Sequence, residues 1–229
     1  MELKTLCHIK TPFKDKFGIP RQSGLIPEAT GILTFPKNNF HKECLRGLDG
    51  FSHIWLSFIF HKVLSEGERS LVRPPRLGGK EKMGVWATRS PHRPNHLGLT
   101  VVKLLKIVEI DKTIQVHVGG VDLLDGTPIV DIKPYVPYCD SIEASSAWVP
   151  KPEDVFKPKI SWIEGLRESI KEEEAVLIEK VLEQDPRPSA QKIDKESYTF
   201  NIFNYEVRFK NGSSEFLVIS IEKIMNGNP

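Results

Sequence analysis

Residues 84–102 bring together several side chains that could bind a ligand or do chemistry. Within seven positions they place Arg89, Ser90, His92, Arg93 and Asn95. Pro91 and Pro94 each fix a backbone φ angle, so the segment loses little further conformational entropy when it binds a ligand. Residues 85–87 and 100–102 are apolar or β-branched, which predicts a loop held between two core strands. The alternative is a surface loop that is merely basic.

Three further polar clusters fall where predicted core strands end. They are residues 20–22, residues 61–62 and residues 122–127. Each has a purely structural explanation, and the Asp-Gly pair at residues 125–126 is typical of a tight turn. All four clusters nevertheless fall within one all-β region. We therefore interpret them as a binding site assembled at one rim of a sheet.

Three kinds of chemistry find little support in the sequence. A metal site is not indicated, because Pro94 prevents the helix that would align His92 with His96. Ser90 precedes a proline and lacks the Gly-x-Ser-x-Gly elbow of a serine nucleophile. A glycine-rich phosphate-binding motif is absent, which argues against a Rossmann-type nucleotide site.

The net charge of +2 is too small to indicate a polyanionic partner by itself, but its distribution is uneven. From residue 73 to residue 106, eight basic side chains accompany a single acid, Glu81. The basic residues are Arg73, Arg76, Lys80, Lys82, Arg89, Arg93, Lys103 and Lys106. This asymmetry suits an anionic partner such as nucleic acid. The alternative is a solvated surface whose charges are balanced elsewhere in the fold.

Composition and hydropathy predict a cytoplasmic globular protein. No apolar run approaches the roughly 18 residues of a membrane span, and residues 1–20 do not resemble a secretory signal. Three widely spaced cysteines, Cys7, Cys44 and Cys139, show no metal-ligand spacing. They are predicted to be reduced, buried thiols.

Short strands separated by turn residues predict a mainly β domain over residues 3–142. The predicted strands cover residues 3–9, 30–35, 53–60, 97–110, 113–118, 121–124 and 127–135. Residues 53–60 are almost continuously apolar, as expected of a strand buried on both faces. A closed antiparallel β-barrel would remove the exposed edge strands most simply.

A small C-terminal α+β domain is predicted to follow. A proline-containing linker over residues 143–159 leads to this domain, which covers residues 160–224. Apolar residues at helical spacing predict a helix over residues 161–183, begun by a capping box at Ser161. Two strands joined in a hairpin by an Asn-Gly turn are predicted over residues 198–209 and 215–221.

The polar segment described first resembles the signature of a known family. Residues 87–99 read Ala-Thr-Arg-Ser-Pro-His-Arg-Pro-Asn-x-x-Gly-Leu, which is similar to the motif of the TsaA/TrmO family. Residues 16–24, 125–135 and 184–188 also resemble segments of this family. Its members use S-adenosylmethionine to methylate N6 of threonylcarbamoyl-adenosine at tRNA position 37. The resemblance therefore implies this activity, this cofactor and the anticodon loop of tRNA as partner.

The resemblance also implies a barrel of six or seven antiparallel strands rather than a Rossmann fold, and a homodimer that binds its cofactor near the subunit interface. The cofactor-site residues carried over by motif are Pro20, Arg21, Gln22, His61, Lys62, Arg89, Leu99, Asp122, Leu123, Leu124, Asp125, Gly126 and Thr127. Neither a metal nor a membrane is expected.

From this resemblance we expect Arg89 to pair with the methionine carboxylate, for which a planar guanidinium is well suited. The backbone of residues 123–127 is expected to hold the adenine and ribose, with Asp122 or Asp125 accepting a hydroxyl hydrogen bond. The acceptor nitrogen is amide-like and a poor nucleophile, so a general base would help. The candidate bases are Asp131 and Tyr135.

The basic residues are expected to contact tRNA phosphates. They are Arg73, Arg76, Lys80, Lys82, Arg93, Lys103 and Lys106. Two other classes stay open. A non-catalytic RNA-binding barrel needs the basic surface but no cofactor pocket, and a hydrolase or metalloenzyme needs a nucleophile or metal ligands that the sequence does not show.

Overall fold

The computed structural model describes residues 2–74, 77, 81–149, 157–187, 196–212 and 214–224. Its strands are β1 (Cys7–Lys10), β2 (Thr30–Pro36), β3 (His53–Ile59), β4 (Leu71–Val72), β5 (Met83–Gly84), β6 (Leu97–Ile110), β7 (Thr113–Gly119), β8 (Thr127–Pro134), β9 (Lys159–Trp162), β10 (Ser197–Ile202), β11 (Tyr205–Asn211) and β12 (Glu215–Lys223). The α-helices within the described residues are α1 (Asn39–Leu45), α2 (Pro137–Asp140) and α3 (Glu172–Glu183).

Six strands close into a barrel in the order β1-β2-β7-β6-β3-β8. Every neighbouring pair in the barrel is antiparallel. This closure pairs each barrel strand on both sides, so the barrel has no exposed edge. The predicted mainly β fold and its barrel are confirmed.

Strand β3 shows how the barrel sorts its side chains. Ile54, Leu56 and Phe58 are buried inside the barrel, whereas the residues between them are half-buried on its outer face. A barrel strand has one inner and one outer face, so its residues alternate. The prediction that this strand is buried on both faces is therefore wrong. Its outer residues Trp55 and Ile59 instead make part of the outer surface apolar.

One end of the barrel collects the ends of β1, β3 and β7 and the beginnings of β2, β6 and β8, and we call it the upper rim. Its residues are Lys10, Ile59, Gly119, Thr30, Leu97 and Thr127. Ile59, the last residue of β3, pairs with Leu97, the first residue of β6. The opposite end of the barrel is called the lower rim.

Three long connections leave the strands at the upper rim. They cover residues 11–29, 60–96 and 120–126. The four polar clusters of the sequence lie in these connections or directly next to them. The barrel therefore brings the clusters to one end of the molecule, as the sequence predicts.

The connections contain less strand than the sequence predicts. Val85–Ala87 is a 3₁₀ turn rather than a strand, because the N–H of Thr88 donates back to the carbonyl of Val85 at 3.1 Å. Where the turn begins, the N–H of the buried Val85 donates to the carbonyl of Ser70 at 3.0 Å. This contact continues a two-stranded ribbon in which β4 pairs with β5. Residues 121–124, also a predicted strand, are irregular, and the first strand begins at Cys7 rather than at residue 3.

Two glycines at the upper rim permit close approaches. A Cβ atom on Gly98 would clash with the ring of Phe58, which packs over this position inside the barrel. Gly120 has a φ of 71°, and a Cβ atom there would lie 3.2 Å from the backbone of Gly24. The N–H of Gly24 donates to the carbonyl of Gly120 at 2.9 Å, so this approach joins two of the three connections.

The C-terminal part contains more strand and less helix than the sequence predicts. Its four-stranded sheet has the order β10-β11-β12-β9, and β9 runs parallel to β12. The predicted strand over residues 198–209 is itself a hairpin, because the chain turns at Phe203, whose φ is 57°. The predicted helix over residues 161–183 is wrong in its first half, which forms part of β9 and then a loop that includes Gly165 at a φ of 76°.

Helix α3 is the part of the predicted helix that forms. Its buried face packs Leu177, Ile178, Val181 and Leu182 into the core. The helix begins after Lys171, whose N–H donates to the Glu174 carboxylate at 3.3 Å, so Ser161 is not its cap. Three glutamates in the first turn also suit the positive end of the helix dipole.

The C-terminal sheet contacts the connection that follows β1. The N–H of Asn201 donates to Asp15 Oδ2 at 2.6 Å, and the N–H of Phe203 donates to the carbonyl of Pro12 at 2.6 Å. Phe13 is fully buried and forms a β-bridge with Ile202. The small domain is therefore anchored to the segment that leads into residues 20–22. The division into residues 3–142 and 160–224 stays a prediction.

The three cysteines are free, but only Cys7 is buried as predicted. Burial raises the pKa of the Cys7 thiol to about 12. The prediction is wrong for Cys44 and Cys139, which lie on exposed parts of α1 and α2. Among the described residues, no helix is both long and apolar enough to cross a membrane.

Candidate functional site

Asp122 connects three parts of the upper rim. Its Oδ1 accepts a hydrogen bond from Thr100 Oγ1 at 2.7 Å, and Thr100 is buried inside the barrel on β6. The backbone of Ser23 also hydrogen-bonds the carboxyl group, and the positive charge of Arg89 acts on it. Burial raises the pKa of Asp122, whereas these contacts oppose the shift.

Arg89 links the family motif over residues 87–99, which we call the signature segment, to residues 20–22. Its Nη1 donates a hydrogen bond to Gln22 Oε1. The side chain is otherwise exposed, and a guanidinium carries five N–H donors in a planar fork. Arg89 can therefore keep its contact with Gln22 and still receive a carboxylate.

Most other polar residues of the signature segment stabilise its shape. Thr88 Oγ1 donates to the carbonyl of Val85 at 2.8 Å and accepts from the N–H of Ser90 at 3.2 Å. Arg93 Nη1 donates to the carbonyl of Thr88 at 3.3 Å. Asn95 has a φ of 66°, a conformation that Asn tolerates better than most residues. These residues make the loop rigid, and Arg89 is left to face outward.

The turn over residues 122–127 is held by the segment that follows β1. Asp125 accepts a hydrogen bond from the N–H of Thr11 at 2.8 Å and forms an ion pair with Lys14 at 2.6 Å. Thr11 Oγ1 donates to the carbonyl of Leu123 at 2.9 Å, and Thr127 Oγ1 donates to that of Leu124 at 2.7 Å. Both oxygens of Asp125 therefore have partners within the protein.

Gly126 completes this turn, since its φ is 75° and its N–H donates to the carbonyl of Ile9 at 2.9 Å. The predicted Asp-Gly turn is confirmed. The expected roles of residues 123–127 in holding adenine and ribose stay predictions, because their internal hydrogen bonds explain the turn without a ligand.

His61 begins the connection that follows β3 at the upper rim. Its pKa is lowered by burial first and by the charges of Lys62 and His8 second. His8 is on β1 opposite Pro128, one residue after the turn ends. The carbonyl of His96 accepts the N–H of Phe60 at 2.9 Å, which ties this region to the signature segment.

Pro20 and Arg21 face the C-terminal domain. Arg21 Nη2 donates to the carbonyl of Asp185 at 2.9 Å. A cavity of about 100 Å³ separates this segment from the end of α3, and its lining includes Phe17, Arg21 and Gln184. Residues 20–22 therefore touch the C-terminal domain on one side and Arg89 on the other.

Three predicted site residues lie away from Gln22, Arg89 and Asp122 of the same chain. They are Leu99, Asp131 and Tyr135. Leu99 is 58% exposed on the outer face of the barrel, where Ser57 is its neighbour on β3. Asp131 lies on the other side of Ser57, and its side chain is half-exposed. The N–H of Tyr135 donates to the carbonyl of His53 at the lower rim, about 26 Å of strand from Thr127.

The predicted phosphate contacts form two groups. Arg73 and Lys82 are exposed next to the β4–β5 ribbon, on the side of the signature segment. Lys103 and Lys106 are exposed further along β6, where Lys103 pairs with Gly119 of the upper rim and Lys106 pairs with His117. Arg93 braces the loop, as described above, and the predicted contacts Arg76 and Lys80 lie outside the described residues.

Thr100, Lys14 and Thr11 contact predicted site residues but are not among the residues that the sequence predicts. Thr100 left a signal, since it is a polar residue at an inward position of β6, between Gly98 and Val102. Lys14 and Thr11 left none, because their partner Asp125 is more than a hundred residues away. Among the described residues, no group of His, Cys, Asp or Glu side chains is placed to hold a metal ion.

Two family models match this chain. The tRNA-methyltransferase O N-terminal domain matches residues 8–141, and the TrmO C-terminal domain matches residues 159–224. The chain belongs to the TrmO family. This confirms the family that the signature segment indicated.

Relatives within the TrmO family match over most of their length. The chain is 36% identical to the tRNA (adenine(37)-N6)-methyltransferase of Escherichia coli over 93% of this chain and 94% of that protein. It is 43% identical to a putative S-adenosylmethionine-dependent methyltransferase of Pseudomonas aeruginosa over 81% of each protein. A crystal structure of TrmO from P. aeruginosa superposes with a TM-score of 0.74 at 32% identity, covering 97% of both chains.

Proposed function

We propose that this protein transfers a methyl group from S-adenosylmethionine to N6 of threonylcarbamoyl-adenosine at position 37 of tRNA. Relatives that share nearly its whole length support three parts of this proposal: the protein is an enzyme, its substrate is tRNA, and it methylates N6 of an adenine. The threonylcarbamoyl group follows from the sequence resemblance. The observation that carries the proposal is the cluster of Gln22, Arg89 and Asp122, which the barrel brings together from three separate connections.

The charges at the upper rim suit the cofactor. S-adenosylmethionine supplies an electrophilic methyl group on its sulfonium sulfur. Arg89 offers an exposed guanidinium for the amino-acid carboxylate, held in place by Gln22. Asp122 supplies a negative charge a short distance away, which suits the cationic end of the ligand. The rigid signature loop would hold donor and acceptor in line, and positioning is the main contribution an enzyme makes to such a displacement.

The reaction also needs a group that takes the proton from N6. As the nitrogen forms a bond to the methyl carbon, the carbon–sulfur bond breaks and the N6 proton leaves. The predicted bases Asp131 and Tyr135 lie outside the cluster that Gln22, Arg89 and Asp122 form in the same chain. Asp131 is the better placed of the two, because it lies on the exposed outer face beside Ser57 and Leu99.

We further propose that this outer face is the contact surface of a homodimer. Leu97 and Leu99 are 36% and 58% exposed on it, next to half-buried Trp55 and Ile59. Exposed apolar patches of this kind mark interaction surfaces. A two-fold contact would bring Asp131 of one chain toward the upper rim of the other, which accounts for its distance from the cluster.

Light scattering tests the dimer. Leu99→Glu should give a monomer with lost activity, whereas Lys112→Glu, at the β6–β7 turn of the lower rim, should stay dimeric. A dimeric Leu99→Glu protein would contradict this surface.

Transfer of a labelled methyl group tests the function. The protein is incubated with methyl-labelled S-adenosylmethionine and tRNA that carries or lacks the threonylcarbamoyl group. We expect label only in the modified tRNA. Label in both would support an adenine methyltransferase that does not require the threonylcarbamoyl group. Label in neither would favour a non-catalytic RNA-binding barrel.

Calorimetry tests the cofactor site separately. Arg89→Gln should weaken S-adenosylmethionine binding at least about tenfold, because a charge-assisted hydrogen bond is lost. Arg89→Lys should recover only part of the loss, since an ammonium cannot pair bidentately.

Since tRNA is the substrate, we place the protein in the cytoplasm.

A further inference from the structure

Trp86 is held in an exposed position at the upper rim. Its side chain is 80% exposed, although the preceding Val85 is almost fully buried. The N–H and the hydroxyl of Thr88 both donate to the carbonyl of Val85, at 3.1 Å and 2.8 Å, and close the turn. The exposure of the indole therefore results from a braced backbone.

Basic residues precede and follow Trp86 along the chain. The β4–β5 ribbon pairs Val72 with Met83, so Arg73 and Lys82 leave the ribbon at the same end, and Lys82 precedes Trp86 by four residues. Arg89 follows Trp86 by three residues and is therefore within about 11 Å along the chain. Proteins bind single-stranded nucleic acid with exposed aromatic rings near cations, which stack bases and contact phosphates.

The surrounding charges favour RNA over an apolar protein surface as the occupant. From residue 66 to residue 93 the sequence contains seven basic and three acidic residues. One of the acids, Glu66, is paired with Arg69 at 3.3 Å, which lowers the negative charge that a phosphate would meet. The backbone N–H of Arg69 donates to the carbonyl of His92 at 2.9 Å, so this basic region is joined to the signature segment.

We propose that Trp86 is a stacking platform for a base of the tRNA anticodon loop next to the base that is methylated, with Arg73 and Lys82 on the neighbouring phosphates. This rests on the proposed function, since it requires tRNA as substrate. Every base has a π face, so Trp86 contributes affinity with little sequence preference. Because Arg89 follows Trp86 by three residues, the stacked base would lie beside the cluster of Gln22, Arg89 and Asp122 rather than within it.

Binding and kinetics of Trp86 variants test the proposal. Trp86→Ala should raise the Kd and KM for tRNA about 5- to 150-fold, the equivalent of ~1–3 kcal/mol per stacked base. Trp86→Phe should recover most of this affinity, whereas Trp86→Leu, which is apolar but has no ring, should not. Phe40→Ala is the matched control, because Phe40 is 65% exposed on α1, which follows β2 at the lower rim.

Two further readouts separate stacking from other roles. The salt dependence of tRNA binding should be unchanged in Trp86→Ala and flatter in an Arg73→Ala and Lys82→Ala double variant. The fluorescence of the wild-type protein should change when tRNA binds, and this change should be reduced in Trp86→Phe.

The opposite results are distinct. If the wild-type protein methylates tRNA and Trp86→Ala binds tRNA with unchanged affinity, the stacking role is overturned and the proposed function stays intact. Weaker S-adenosylmethionine binding by Trp86→Ala would instead assign the indole to the cofactor pocket, and a monomeric variant would assign it to the subunit contact. Either result overturns the proposal. A wild-type protein that methylates no tRNA contradicts the proposed function itself.

Discussion

Thr100 Oγ1 donates a hydrogen bond to Asp122 Oδ1 at 2.7 Å from inside the barrel. Thr100 belongs to a regular strand, whereas Asp122 belongs to the irregular connection after β7. The bond therefore fixes a loop carboxylate to a strand of the closed barrel. A site that must hold a sulfonium donor and an acceptor in line needs this kind of support.

Thr100→Val should destabilise the protein by about 1–3 kcal/mol, because the half-buried Asp122 loses a hydrogen-bond donor at nearly constant volume. Urea unfolding at neutral pH measures the change. Thr113→Val removes an exposed hydroxyl that donates to the carbonyl of Ile110, and it should cost less. Equal losses in the two variants would show that Asp122 does not depend on Thr100.

The raised pKa of Asp122 predicts a pH dependence of stability. Between the ordinary Asp pKa of 3.8 and the raised native pKa, the folded protein binds more protons than the unfolded chain. The contribution of Asp122 to the free energy of unfolding therefore falls as pH rises through this window. Asp122→Asn, which does not titrate, should gain stability relative to wild type as pH increases. A constant difference between the two proteins from pH 4 upward would contradict the shift.

Asp125 should act mainly through the N–H of Thr11. Asp125→Asn keeps an acceptor for this N–H and loses only the half-exposed ion pair with Lys14, so it should cost less than about 1 kcal/mol. Asp125→Ala also leaves the N–H without its acceptor and should cost about 1–3 kcal/mol. Lys14→Ala, measured by the same denaturant unfolding, gives the ion-pair contribution alone. Equal effects of the Asn and Ala variants would contradict this division.

Gly98→Ala should destabilise the barrel by about 1–3 kcal/mol, because the added methyl group would clash with the ring of Phe58. Phe58→Leu makes room, so the double variant should be more stable than the sum of the single changes predicts. Gly50→Ala is the control, since no atom lies within 4 Å of its added Cβ. Thermal unfolding of the four variants and the wild type measures both effects, and strict additivity would rule out the clash.

Local patterns explain why the barrel was predictable and the C-terminal sheet was only partly so. Alternation of apolar residues with a period of two marks β7, and a turn at Asp111 separates it from β6. Strand β9 shows the same alternation over only four residues, Lys-Ile-Ser-Trp. It forms because residues 159–162 pair with residues 215–218, and this pairing is too distant in sequence for a local pattern to indicate it. The helical spacing of the apolar residues that begin at Ile163 extended the predicted helix back into this strand.

Strand alternation and a long motif are local properties of the chain, so the mainly β fold, the four polar clusters and the family could be predicted without a structure. Which of the clustered residues meet depends on the tertiary structure. It brought Gln22 and Asp122 to Arg89, engaged both oxygens of Asp125 within the protein, and left Leu99 on the outer face. The physical reason is that register and barrel closure set these distances, and both arise from hydrogen bonds between segments far apart in the chain.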